Sequence, residues 1–309
     1  MVDEMVEQDK PLAYILGTQP FHPLPIELLV RPPTLIPRPE TEHWVSLLSQ
    51  RLLASSSLSS TTPEAEAKPF RLLDIGTGTG AIGLGLTYAL SKARRGRQVV
   101  HGVAVDRSSP AVELASENAQ RCGLLRAPSS PSCPLSATAS SLSILQADLF
   151  SPSFASTALS ALPSFPSYIP SPPSSDPPNP PRFDLVVSNP PYIPLHEYLT
   201  LHRSVREWED RGALVGELDG GSGTEEVDPA WLKEDDGLIF YRRIVALLPS
   251  LLSPSTSTGS EAGQPQVAFE VGHGQARAVE RLLCEKGWET EVLVDPWGVE
   301  RAVFGYAQR

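Results

Sequence analysis

Between Leu72 and Gly80 the chain reads LLDIGTGTG, an apolar run ending in an acid and followed by three glycines separated by threonines. Glycine turns tightly and lets the backbone come close to a ligand. An apolar stretch at helical spacing follows at once, so the glycines end a strand and open a helix over 80–93. That unit sets the rest of the reading. Downstream, VVHGVAVD, a helix over 110–122, LSILQADL, FDLVVSNPP, a helix over 234–252, QVAFEVG and a helix over 274–286 continue the alternation. The alternation predicts an α/β fold, a doubly wound Rossmann-like sheet. The end departs from it: ETEVLVDP and WGVERAVFGYAQ are strand-like runs joined by a Pro-Trp-Gly turn, which predicts an antiparallel edge.

Residues 1–54 read as a lead-in. Over 11–38, PLAYILG and IELLVRPPTLIP mix apolar runs with proline and glycine, which predicts a hairpin or short extended pieces. From Pro39, PETEHWVSLLSQRLLA carries Trp44, Leu47 and Leu48 at helical spacing, with acids in the first turn where the helix dipole favours them. The main domain spans 70–309. Stretches at 55–69, 126–141, 151–182 and 253–265 are dominated by Ser, Pro, Ala and Thr, and bury too little apolar surface to offset their ordering entropy. They are expected to be surface loops inserted between elements.

With a formal net charge of −11 the chain is poorly suited to a phosphate backbone, whose binding rests on Lys and Arg contacts. Nucleic acid is therefore a disfavoured partner. Three distant cysteines offer neither a disulfide framework nor a CxxC site, and His22, His43, His101, His196, His202 and His273 lack metal-ligand spacing. No metal is expected. No run of about 18 apolar residues is present, so no membrane span is predicted.

The glycine spacing in Gly76, Thr77, Gly78, Thr79 and Gly80 departs from GxGxxG, the signature of a loop that seats a pyrophosphate on a helix N-terminus. The departure favours S-adenosylmethionine, which has no pyrophosphate. Asp106, ending the next strand, stands where an acid accepts from both ribose hydroxyls, or it caps the helix that follows. Asp148 and Leu149, ending the third strand, stand where adenine is read; a strand-terminal Asp is also a common turn residue.

Asn189, Pro190, Pro191 and Tyr192 follow the fourth strand, at the edge where open α/β sheets place their chemistry. An amide nitrogen is a weak nucleophile because its lone pair is delocalised, so catalysis consists in aiming that pair. The Asn189 side-chain carbonyl and the Pro190 backbone carbonyl each accept one N–H of a planar NH2 group, while Tyr192 packs on its face. The same four residues suit a glutamine amide or an adenine amine, and an isolated NPPY is also an ordinary proline turn.

PLAYILGTQPF with LIPRPETE, GTGTG, NPPY, SVREWEDRGALVGELDGGSG, FEVGHGQ and DPWGVERAVFGY together resemble the HemK-like release-factor glutamine methyltransferases, over nearly all of the chain outside the Ser/Pro stretches. The resemblance implies N5-methylation of the glutamine in the GGQ loop of a peptide chain release factor, with S-adenosylmethionine as donor. It assigns cofactor contacts to Gly76, Thr77, Gly78, Thr79, Gly80, Asp106, Leu149 and Asn189, and glutamine contacts to Asn189, Pro190, Pro191 and Tyr192. It also implies that IPRPETE closes over the donor, and that a helical domain normally preceding YILG is here largely missing. The alternatives are an adenine N6-methyltransferase and a non-catalytic donor-binding homologue. By resemblance the compartment is the mitochondrion, although MVDEMVEQDK does not read as a presequence; the cytoplasm is the alternative.

Overall fold

The structure, a computed structural model, describes residues 2–54, 69–93, 99–126, 139–163, 181–218, 235–253 and 263–308. Helices α1 (Val2–Glu7) and α2 (Leu12–Leu16) precede a small antiparallel pair, β1 (Thr18–Gln19) and β2 (Leu28–Leu29), and then α3 (Pro39–Ala54). There follow β3 (Phe70–Ile75), α4 (Ala81–Ala93), β4 (Val100–Asp106), α5 (Ser109–Arg121), β5 (Ser141–Gln146) and α6 (Phe154–Ser160). After β6 (Leu185–Ser188) come three one-turn helices, α7 (Leu195–Tyr198), α8 (Arg203–Arg206) and α9 (Arg211–Leu214). The chain ends with α10 (Ile239–Leu251), β7 (Val267–Glu270), α11 (Ala276–Cys284), β8 (Trp288–Val294) and β9 (Glu300–Ala307).

The main sheet has seven strands in the order β5-β4-β3-β6-β7-β9-β8. From β5 to β7 neighbours are parallel, and β9 runs antiparallel to both β7 and β8. The expected antiparallel pair is therefore at the edge, with β8 outermost and the last strand inside it. Strand order reverses between β3 and β6, which opens a crevice at their carboxyl ends.

Side chains alternate across the strands, and so divide the core in two. Leu73, Ile75, Val103, Val105, Val186 and Phe269 join α6, α10 and α11 on one face. Leu72, Ala104, Leu185, Val187, Ala268 and Phe304 join α3 and α4 on the other. Each fully buried Leu, Val or Phe contributes roughly 1.5–3 kcal/mol.

Two expectations change. PLAYILG is not extended: LAYIL makes one turn of helix ended by Gly17 at φ 75°, and the Tyr14 hydroxyl donates to Thr34 O at 2.7 Å. The stretch 151–182 is not a loop throughout. Phe154 and Ala158, four residues apart, are buried along with Leu162, so 154–160 is a helix packed under α10. The other parts of the expected insertions lie almost wholly outside the described residues. Among the described residues no helix is long and apolar enough to cross a membrane.

Candidate active site

The carboxyl ends of β3, β4, β5 and β6 open into a cleft of about 1090 Å³, counted out to open solvent. Its wall includes Gly76 and Gly78 after β3, Asp106 at the end of β4, Asp148 and Leu149 after β5, and Asn189, Pro190 and Pro191 after β6. Eight residues singled out in the sequence thus meet on one surface, although they come from four separate strands.

The glycine loop is fixed from beneath. The N–H groups of Gly76 and Thr77 donate to Val105 O at 2.8 and 3.0 Å. Gly76, Gly78 and Gly80 all have positive φ, of 73°, 55° and 86°, which a side chain would strain. Asp74, fully buried, accepts from the Thr77 hydroxyl at 2.7 Å and from Gly83 N at 2.9 Å through the same oxygen. Burial raises its carboxyl to about 6. Asp74 has no place in the expected site, and its position at the end of an apolar strand was the available signal.

Asp106 is not the cap of α5, a place that Ser108 takes without a side-chain cap bond. Its Oδ2 accepts from Gly78 N and its Oδ1 from Ser108 N, each at 2.9 Å, so the carboxylate ties the glycine loop to the start of α5. Burial raises its pKa, against those two donors. Each oxygen keeps a second lone pair, directed at the cleft it lines.

Thr77, Thr79, Gly80 and Tyr192 are not on the cleft wall. The Thr77 hydroxyl is spent on Asp74, and the Thr79 carbonyl accepts from the buried Asn118 side chain at 3.0 Å. Gly80 faces the Leu84 side chain. The Tyr192 ring lies against Gly272, and burial, with the Glu270 carboxylate nearby, holds its hydroxyl well above the usual tyrosine range.

The reacting loop begins where the Ser188 hydroxyl donates to Ile75 O at 2.7 Å, tying β6 to β3 at the point of reversal. A Cβ placed on Gly76 would lie 3.8 Å from Asn189 O. The loop expected to seat a donor and the loop expected to hold an acceptor thus lie side by side, a single carbon's space apart.

A cover closes the far side, and it was only half legible. Thr34 and Leu35 line the cleft from the segment leading into α3, and Asp210, Gly212 and Ala213 line it from α9. The two pieces are joined: Asp210 N donates to Pro33 O at 2.7 Å, and Arg38 reaches both oxygens of Glu209 at 2.8 and 2.6 Å. Behind them the buried Glu270 accepts from the Thr41 hydroxyl at 2.6 Å and the Trp44 ring N–H at 2.8 Å. Glu42 accepts from His22 N at 3.0 Å, and Glu40 lies 3.8 Å from Arg301, so both acids of PETE hold neighbouring chain as well as opening α3. Glu209 and Glu270 are single acids whose partners lie far along the chain, so no local pattern announces them.

Four ionisable residues line the cleft, namely Asp106, Asp148, Asp210 and Arg107. Three acids against one base favour a cationic occupant over an anionic one.

No protein-family model matches the chain. A protein of Geobacter sulfurreducens named release factor glutamine methyltransferase is 32% identical over 297 residues, covering 96% of this chain and 73% of that one. One of the same name from Bacillus subtilis is 30% identical over 302 residues, covering 97% and 76%. A solved structure of the release factor-specific protein-(glutamine-N5) methyltransferase of Alicyclobacillus acidocaldarius is 22% identical, with a TM-score of 0.37, covering 89% and 95%. On the strength of the sequence relationships, the chain belongs to the release factor glutamine methyltransferase family.

Proposed function

We propose that the chain transfers a methyl group from S-adenosylmethionine to the side-chain nitrogen of the glutamine in the GGQ loop of a peptide chain release factor. The observation that carries this reading is the closeness of the two loops: Gly76, on the proposed donor side, faces the backbone carbonyl of Asn189, on the proposed acceptor side.

The cleft suits the donor. S-adenosylmethionine is positively charged at sulfur, carries a ribose diol and an adenine amine, and has no phosphate. The acid-rich lining matches that charge, the free lone pairs of Asp106 match the diol, and Asp148 with Leu149 matches the adenine. When bound, the donor would supply an electrophilic methyl group on a sulfonium; as the N–C bond formed the S–C bond would break, the neutral thioether would leave with its electron pair, and one of the two amide protons would pass to water. The chain's own part is orientation. Asn189 Oδ1 and Pro190 O take the two N–H groups of the substrate amide and turn its nitrogen toward the donor. Well-oriented encounters of this kind lower barriers by roughly 7–11 kcal/mol. Thr34 and Leu35 on one side and Gly212 and Ala213 on the other narrow the opening and limit water. Tyr192, whose ring lies against Gly272 off the cleft wall and whose hydroxyl stays protonated, anchors the end of the loop and does not serve as a base.

Incubation with labelled donor and a bacterial-type release factor tests the reading. Label on the factor, with none on DNA or RNA, supports it; label on nucleic acid alone moves the function to adenine. The mitochondrion is the proposed compartment, and imaging of the tagged product of the full transcript decides between it and the cytoplasm.

A further inference from the structure

The Asn-Pro-Pro-Tyr loop is poor in backbone donors, because Pro190 and Pro191 have no N–H. Its middle cannot donate to a neighbouring strand, so its geometry depends strongly on what holds its end. Ile193 N donates to Leu214 O, and Gly216 N to Ile193 O, both at 2.9 Å. The Tyr192 carbonyl itself accepts from the side chain of Gln275 at 2.9 Å.

Gln275 stands at the start of α11, at the end of the run FEVGHGQ. Its Nε2 also donates to Asp236 O at 2.9 Å, and its Oε1 accepts from Gly272 N at 3.1 Å. One planar amide therefore joins three backbone segments: the acceptor loop after β6, the entry to α10 and the turn after β7. Two donors and an acceptor on a side chain of this length are what glutamine supplies. Glutamate has the acceptors without the donors, and asparagine is one methylene shorter.

Two glycines complete the cradle. A Cβ on Gly237, whose φ is 70°, would lie 2.0 Å from Tyr192 O and 2.8 Å from Gln275 Nε2. One on Gly272 would lie 2.9 Å from the Tyr192 ring and 2.5 Å from Gln275 Oε1. Backbone thus lies close against both the carbonyl and the ring of Tyr192, at two positions where only glycine fits.

We propose that Gln275 is a positioning residue for methyl transfer: by pinning the Tyr192 carbonyl it sets the angle at which the Asn189 and Pro190 acceptors meet the substrate amide. The proposal rests on the glutamine-methylation reading of the site. Gln275 is absent from the cleft wall, so its loss leaves donor binding alone and falls on turnover. Misplacing reacting groups by about 1 Å costs on the order of 10²-fold in rate.

The test compares the full chain with Gln275→Met, which keeps the side chain's length without its hydrogen bonds, and with Gln275→Glu, which removes both donors. Calorimetry gives the affinity for S-adenosylmethionine, and steady-state methylation of a bacterial-type release factor gives KM and kcat. The expected result is donor affinity within about twofold, KM within about threefold and kcat lower by ~10- to 100-fold in both variants. A kcat within twofold of the parent overturns the proposal, as does a loss of kcat matched by loss of donor binding. Gly272→Ala, which retains Gln275 but crowds both its Oε1 and the Tyr192 ring, is expected to lower kcat in the same selective way; if the Gln275 variants fail to fold, normal turnover in this one overturns the proposal. Parent enzyme that leaves the release factor unmethylated overturns the glutamine reading, and this proposal falls with it; methylation by the parent with unchanged turnover in the variants overturns the proposal alone.

Discussion

The glycine loop after β3 and the Asn-Pro-Pro-Tyr loop after β6 leave neighbouring strands side by side, yet they are held by different kinds of partner. Thr77 and Gly83 bond to Asp74, Gly76 and Thr77 bond to Val105, Gly78 bonds to Asp106 and Thr79 bonds to Asn118, so the first loop is fixed within the consecutive elements from β3 to α5. The second takes its support from Gln275 beside α11 and Leu214 in α9. Its cover depends in turn on Arg38 and Glu209, which lie far apart in the chain. The loop proposed to seat the donor is thus held by neighbouring elements, and the loop proposed to hold the acceptor by residues from across the chain. The separation predicts that damage to one half leaves the other working.

The largest effect is expected at Asn189. Asn189→Ala removes one of two acceptors that orient the substrate amide, and kcat is expected to fall by on the order of 10²-fold or more with donor affinity within about threefold. Equal losses in both would show that the halves are not separable. Asp106→Ala is the mirror experiment. With hydrogen bonds to a charged group worth roughly 1.5–3 kcal/mol, donor affinity should weaken by ~10- to 100-fold while kcat at saturating donor stays within about threefold.

Arg38→Met tests the cover. Glu209 is 1% exposed at its side chain and Arg38 35%, so the substitution strands a buried carboxylate. Removing one partner of a fully buried pair costs about 3–5 kcal/mol, and the partial exposure of Arg38 lowers this to about 2 kcal/mol. Thermal unfolding should shift down by roughly 3–4 °C. An unchanged Tm would mean that the two cover segments are held elsewhere.

The smallest effect concerns Asp74. Burial raises its carboxyl from 3.8 to about 6, so the folded chain binds that proton more tightly than the unfolded chain does. Its contribution to stability is therefore full below about pH 4, declines as pH rises toward 6, and is flat above. Asp74→Asn removes this dependence, and the difference between parent and variant in urea unfolding should change from pH 4.5 to 6.5 and level off beyond. Parallel curves over that range would refute the assignment.

The contrast between the loops also explains what could be read in advance. PETEHWVSLLSQRLLA is a helix over its full length because its apolar spacing is local, and GTGTG with Asp106 is legible for the same reason. The helix at Phe154–Ser160 was masked by serine, alanine and threonine, which hide the pairing of Phe154 with Ala158 until a core is there to receive them. Thr77 and Tyr192 carry the right motif but turn their side chains away from the cleft, toward Asp74 and Gly272. Gln275, Glu209 and Glu270 fall in runs that carry the family resemblance, FEVGHGQ and SVREWEDRGALVG, but nothing in those runs shows what each side chain binds. Only the folded chain supplies their partners.

The most direct test is mass spectrometry of the GGQ-containing peptide of a bacterial-type release factor after reaction with S-adenosylmethionine and either the parent chain or Asn189→Ala. The account predicts a gain of one methylene unit, localised to the glutamine side chain, with the parent and almost none with the variant at equal donor occupancy. An unmodified glutamine with the parent, or equal modification with both, would contradict it.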